Sequence, residues 1–92
     1  MSMKVVITVV GLDRTGIIAT VSNVMAEYGI NIETINQVIL EGLFNMVMIV
    51  DMEKSAIDLG KLQDVLKEKG DALGVEIRAQ HADIFYAMHR VG

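Results

Sequence analysis

The chain has 92 residues, a formal charge of −4, no cysteine, and an apolar fraction of 52% against 22% charged residues. That length bounds it to one small domain, expected over 1–92 with a core about 4–81 and a helical tail about 83–91. The lack of cysteine removes disulfides, thiolate nucleophiles and cysteine-type zinc sites, and the acidic balance argues against nucleic acid, which selects basic patches.

In chain order, residues 4–10 are short, apolar and β-branched, which predicts a strand. Ile17, Ile18, Val21, Val24, Met25 and Tyr28 then recur at helical spacing, and Gly29 is a natural residue to follow a helix C-terminus. Asn31 to Glu41 is strand-like, Glu41-Gly42 is a turn signal, and Phe44 to Met52 is a second strand of the resulting hairpin. A polar connection offers Ser55 and Asp58 as candidate N-caps. Leu59, Leu62, Val65, Leu66 and Leu73 mark a second helix that weakens near Gly70. Val75, Ile77 and Ala79 alternate with Glu76, Arg78 and Gln80, a half-exposed strand, and the tail sets Ile84, Phe85, Met88 and Val91 on one helical face.

The order is βαββαβ plus a short helix, an α+β ferredoxin-like sandwich whose antiparallel sheet is expected in the order 4-1-3-2. The strands at 4–10 and 44–52 are apolar on both faces, as central strands are, and the other two are more polar, as edges are. One sheet face takes the helices. The other also needs cover, which the tail helix supplies in part and a second subunit completes. So large an apolar share in so small a domain points the same way, to a homodimer. No apolar run approaches the roughly 20 residues of a membrane span. With no signal-peptide pattern at the N-terminus, a cytoplasmic protein without a membrane partner is expected.

The segment with most chemistry is Gly11-Leu12-Asp13-Arg14-Thr15-Gly16-Ile17-Ile18, between the first strand and the first helix. A glycine-bounded loop opening a helix leaves backbone N–H groups free at its positive end, where a carboxylate or other anion is welcome. Two readings of the loop stand side by side. Asp13 contacts a ligand, or it only stabilises the helix start. Arg14 reads as a solvated charge, and Asn31 equally as a turn residue that tolerates a left-handed backbone after Gly29.

The stretch from Val6 to Ile32, with Gly11-Leu12-Asp13-Arg14-Thr15-Gly16-Ile17 and then Tyr28-Gly29-Ile30-Asn31-Ile32, resembles the ACT domain. The pattern G-x-D-R-x-G-I, a helix and then G-x-N-I is fairly specific for it. The likeness extends to His81-Ala82-Asp83-Ile84-Phe85-Tyr86-Ala87-Met88. It is strongest to free-standing bacterial and archaeal ACT proteins of this length (UPF0237-like), and extends to the N-terminal module of formyltetrahydrofolate deformylases and to the glycine-cleavage repressor. The resemblance implies a regulatory module whose effector sits at a dimer interface, between the first β–α loop of one subunit and elements of the other. It implies a ligand-binding set of Leu12, Asp13, Gly16, Ile17 and Asn31, with Asp13 and Asn31 at positions where the family often has contacting Asn or Asp. Such a set suits an amino acid. N–H groups around Gly16 and Ile17 take the carboxylate, Asp13 the ammonium, and Asn31 fixes orientation. Thr15 replaces the proline usual in this loop, which relaxes the backbone there.

Other candidates are weaker. Gly11 and Gly16 have P-loop spacing, but Ile17-Ile18 stand where Lys-Ser/Thr is required. His81, Asp83 and the distant His89 make a poor metal set. Met46 and Met48, alternating in an apolar strand, read as core or interface filler rather than copper ligands. Glu27, Glu33 and Glu41 show no paired-carboxylate spacing. No cofactor and no metal is implied, and no enzyme is expected. The reading is a regulatory ACT module that binds an amino acid or similar small carboxylate and signals to a partner enzyme or regulator. The alternative is a ligand-free protein–protein interaction module.

Overall fold

The computed structural model describes residues 3–12 and 15–88. Along the chain these form β1 (Lys4–Leu12), α1 (Ile17–Glu27), β2 (Asn31–Leu40), β3 (Leu43–Asp51), α2 (Leu59–Leu73), β4 (Val75–His81) and α3 (Ala82–Met88). All pairings are antiparallel and the sheet order is β2-β3-β1-β4, the expected 4-1-3-2 arrangement read from the opposite edge.

The core lies between the sheet and the α1–α2 layer. Strand alternation sends Val5, Ile7 and Val9 of β1, Phe44, Met46, Met48 and Val50 of β3, and Val75, Ile77 and Ala79 of β4 into it, all buried. Ile17, Val21, Val24 and Met25 of α1 and Leu62 and Leu66 of α2 meet them at helical spacing. The two buried methionines of β3 are core residues, as the strand pattern implied.

Local chemistry explains the boundaries. α1 closes in a Schellman motif: Gly29 at φ 70° donates to the Ala26 carbonyl and Ile30 to that of Met25 at 2.9 Å, with Ile30 and Met25 both buried. The left-handed backbone therefore falls on Gly29 and not on Asn31, which is already in β2. The hairpin turns at Glu41 and Gly42, both at positive φ as a type I′ turn demands. Of the two candidate caps for α2, Asp58 serves: its Oδ1 accepts from the Lys61 N–H at 2.8 Å. Ser55 instead exchanges hydrogen bonds with the Ile57 backbone in a tight turn.

Two expectations are corrected by packing. β1 continues to Leu12, which pairs with Leu43, so Gly11 is a strand residue rather than part of the turn. A side chain is excluded there because a Cβ would lie 2.6 Å from Val75 Cγ1. α2 does not weaken at Gly70 but runs through it: the residue is buried, and a Cβ would lie 2.7 Å from the Val75 carbonyl oxygen. Gly70 lets the helix sit down on β4.

The outer sheet face is covered only in part. α3 lies over it beside β1 and β4, and Val6 is buried although it points away from the α1–α2 layer. Of the apolar face expected on the tail, Phe85 is half-buried while Ile84 and Met88 are exposed. Val91 lies outside the described residues. The sheet edges differ. α2 flanks the β4 edge, where Gln63 Nε2 donates to the Ala79 carbonyl at 2.8 Å, whereas β2 is exposed along nearly its whole length. Among the described residues, no helix is long and apolar enough to cross a membrane.

Candidate functional site

Gly16 stands at φ 90°, where the absence of a Cβ allows the chain to enter α1. It offers no side chain to cap the helix, and the first turn carries no acidic residue. Its carbonyl accepts from the Thr20 N–H at 2.9 Å, the first helical hydrogen bond, so the N–H groups of Ile17, Ile18 and Ala19 precede the helical ladder. In front of them is a cleft of about 260 Å³, lined by Gly16, Ile17, Ile18, Ala19, Gln37, Ile39 and Phe44. That is below the roughly 300–1,000 Å³ of sites for drug-sized ligands and suits a small one.

The expected site residues fall in different places. Gly16 and Ile17 share the cleft, but the Ile17 side chain is 2% exposed and belongs to the core, so its backbone N–H is what it can offer. Leu12 ends β1 on the outer face, away from the α1–α2 layer. Asp13 and Arg14 lie outside the described residues. Asn31 is at the far end of the sheet: it pairs with Asp51, while Leu12 pairs with Leu43, about 27 Å further along β3 at the antiparallel rise. Within one copy, Asn31 and the start of α1 do not meet.

Gln37, Ile39 and Phe44 were missed. Gln37 alternates with Ile35 and Ile39 on the side of β2 facing α1, so an amide interrupts an apolar row. That interruption was the available signal, but only the register with β3 says which side it occupies.

Around Asn31 the chain builds a charged knot. Asp51 Oδ1 accepts the backbone N–H groups of Glu53 at 2.9 Å and Met3 at 3.0 Å, and Oδ2 faces Lys4 Nζ at 3.4 Å. Those two backbone donors, then Lys4, hold the Asp51 carboxyl below the usual carboxylate range. Lys4 also pairs with Glu33, the larger cause of its raised pKa. These contacts tie β1, β2 and β3 together. His81 Nδ1 accepts from the Asp83 N–H at 3.3 Å at the start of α3. His89 lies outside the described residues. A larger groove, about 700 Å³, runs between α2 and the β4 edge.

Comparison with known proteins agrees with this architecture. The family model described as "ACT domain" matches residues 3–80. A UPF0237 protein of Methanopyrus kandleri is 48% identical over 96% of this chain and 98% of its own length. The solved ACT domain protein from Streptococcus pneumoniae is 40% identical, covers 92% of this chain and 96% of that one, and superposes with a TM-score of 0.80. A formyltetrahydrofolate deformylase from Pseudomonas syringae pv. tomato, 21% identical with a TM-score of 0.78, shares the fold over 85% of this chain and 27% of that one.

Proposed function

The chain belongs to the ACT domain family, and from that premise we propose that it is a dimeric regulatory module binding an amino acid or similar small carboxylate at the subunit interface. The observation that carries the reading is the cleft at the start of α1, where backbone N–H groups at the helix's positive end meet the Gln37 amide between apolar walls. The carboxylate fits the N–H groups, Asp13 at the adjoining loop suits an ammonium, and Gln37 has both a donor and an acceptor.

The open β2 edge supports a dimer. Antiparallel pairing of two β2 strands about a twofold axis would bring the Asn31 end of one against the Leu40 end of the other, beside the Ile39 wall of the cleft. In that arrangement the Asn31 end of the second copy borders the cleft, but Asn31 pairs with Asp51 and so points to the outer sheet face, while Gln37 and Ile39 face α1. Ligand that fits one dimer arrangement better than another shifts the balance between them, and a partner enzyme or regulator reads the shift.

The exposed apolar side chains of β2 favour a second reading, a protein–protein interaction module without a ligand. A thermal-shift screen against the amino acids separates the two. Ligand at about 100 times its Kd adds roughly 2.7 kcal/mol, a shift of several degrees or more in a domain of this size. The ligand reading expects such a shift with one compound and its loss in Asp13→Ala. No shift with any compound would leave the interaction module. A shift that persists in Asp13→Ala would move the site elsewhere.

A further inference from the structure

The groove of about 700 Å³ between α2 and β4 follows a strand edge rather than a sheet face. It is lined by the consecutive residues 75–80 of β4 and by Gln63, Lys67, Gly70, Asp71 and Gly74, a single stripe along α2. Each wall is about 17 Å long, enough for about five extended residues. The Ala79 carbonyl accepts Gln63 Nε2 at 2.8 Å from outside the sheet, and the Val75 carbonyl faces Gly70. With the period of two, the backbone groups of Val75, Ile77 and Ala79 therefore point away from β1, while those of Glu76, Arg78 and Gln80 point towards it. The N–H groups of Ile77 and Ala79 have no partner among the described residues. β4 carries no bulge along its register with β1, so nothing in its own backbone blunts this edge.

We infer that the β4 edge takes an extended peptide segment of a partner protein as a fifth strand, antiparallel to β4, with an acidic residue and, two positions later, a basic one. The unpaired donors call for a main chain, which supplies carbonyls at the strand repeat. Gln63 already gives the Ala79 carbonyl the donor that a neighbouring strand would give. The charges set the pattern. Glu76 and Arg78 share the outer face and pair with each other at 2.6 Å, but both are exposed, and such a pair holds its geometry weakly. An acid opposite Arg78 and a base opposite Glu76 would make two cross-strand pairs and complete an alternating cluster of four. A second copy offers the same charges on its own β4, but α2 excludes it. α2 packs over β4 and comes within backbone range of no other strand. Two β4 strands paired about 4.8 Å apart would bring two α2 helices to about that separation, against the 8–10 Å that packed helices need. A segment without a helix on its flank meets no such obstacle. The groove lies on the opposite sheet edge from the cleft at the start of α1, so the inference does not depend on a ligand there.

The test is a titration of the isotope-labelled intact chain with the capped peptide Thr-Val-Glu-Val-Lys-Val-Thr, followed by amide NMR. At about 1 mM peptide, the inference expects the Ile77 and Ala79 amide signals to shift and their hydrogen exchange to slow, with Arg78, already bonded to β1, unchanged in exchange. The same peptide N-methylated at its central valine keeps the charges but loses a main-chain donor, and should bind at least about tenfold more weakly. Ala79→Pro removes the outward N–H, sets ring carbons in the groove and leaves the β1 ladder intact, and should have a similar effect. No shift at that concentration, shifts confined to β2, or equal binding of the N-methylated peptide would overturn the inference. So would Ile77 and Ala79 amides that are already protected without peptide in a concentration-dependent way, since a second copy would then hold the edge.

Discussion

Gly70→Ala separates helix propensity from packing more sharply than any other single change in this chain. In an exposed helix, Gly→Ala gains about 1 kcal/mol. At position 70 the new Cβ would lie 2.7 Å from the Val75 carbonyl oxygen and 3.2 Å from Ile77 Cγ1. The oxygen belongs to the β4 backbone and cannot swing aside, so α2 must lift from the sheet by roughly half an ångström or more, loosening Leu62 and Leu66. Overpacking of this kind costs about 1–3 kcal/mol. The net expectation is a loss of up to about 2 kcal/mol, or a Tm lower by up to roughly 15 °C in a domain of this size. Gly60→Ala is the internal control. It lies in the first turn of the same helix, and its Cβ would meet only Asp58 Oδ1 at 3.6 Å, an ordinary contact. It should hold or raise Tm. Calorimetry on both variants gives the comparison, and a Gly70→Ala protein melting at or above the wild type would refute the account of why α2 needs a glycine there.

Two further outcomes follow from the site and its surroundings. Gly16→Ala meets no atom of the described residues within 4 Å, so its expected cost is the strain of φ 90°, about 1–2 kcal/mol; Gly16→Asn should lose less in the same thermal melt, and equal Tm values for all three proteins would mean that α1 can start without a left-handed residue. Asp51 is held as a carboxylate by the Glu53 and Met3 N–H groups and by Lys4, so its folded pKa lies below its unfolded one. Its contribution is complete above the ordinary carboxylate range and is lost as pH falls through the depressed folded value. Urea melts from pH 7 down to pH 2 should therefore show an acid limb that is shallower in Asp51→Asn, and limbs of equal slope would remove Asp51 as a source of it.

Periodicity was enough for the order of elements because each is written in local spacing. Ile17, Val21, Val24 and Met25 can share a face only as a helix, Glu41-Gly42 suits only a tight hairpin, and Gly29 closes α1 through bonds to residues three and five positions back. The βαββαβ order then leaves few sheets, and 4-1-3-2 is the one observed. The start of α1 was legible for the same reason, since Gly16 and the N–H groups after it are neighbours in the chain.

What tertiary structure decided depends on pairs far apart in sequence. Gly11 and Gly70 read as turn and helix breaker, yet both are where Val75 comes close, and no local pattern encodes that distance. Gln37 became a wall of the cleft by the register of β2 on β3, which a shift of one residue would have reversed, and Asn31 was carried away from it by the length of β2. Leu12, Leu40 and Leu43 are unremarkable in their own segments and became a single row only when three strands aligned. Local spacing specifies which face of an element is apolar; only the pairing of elements decides which apolar faces meet each other and which remain open to a second copy.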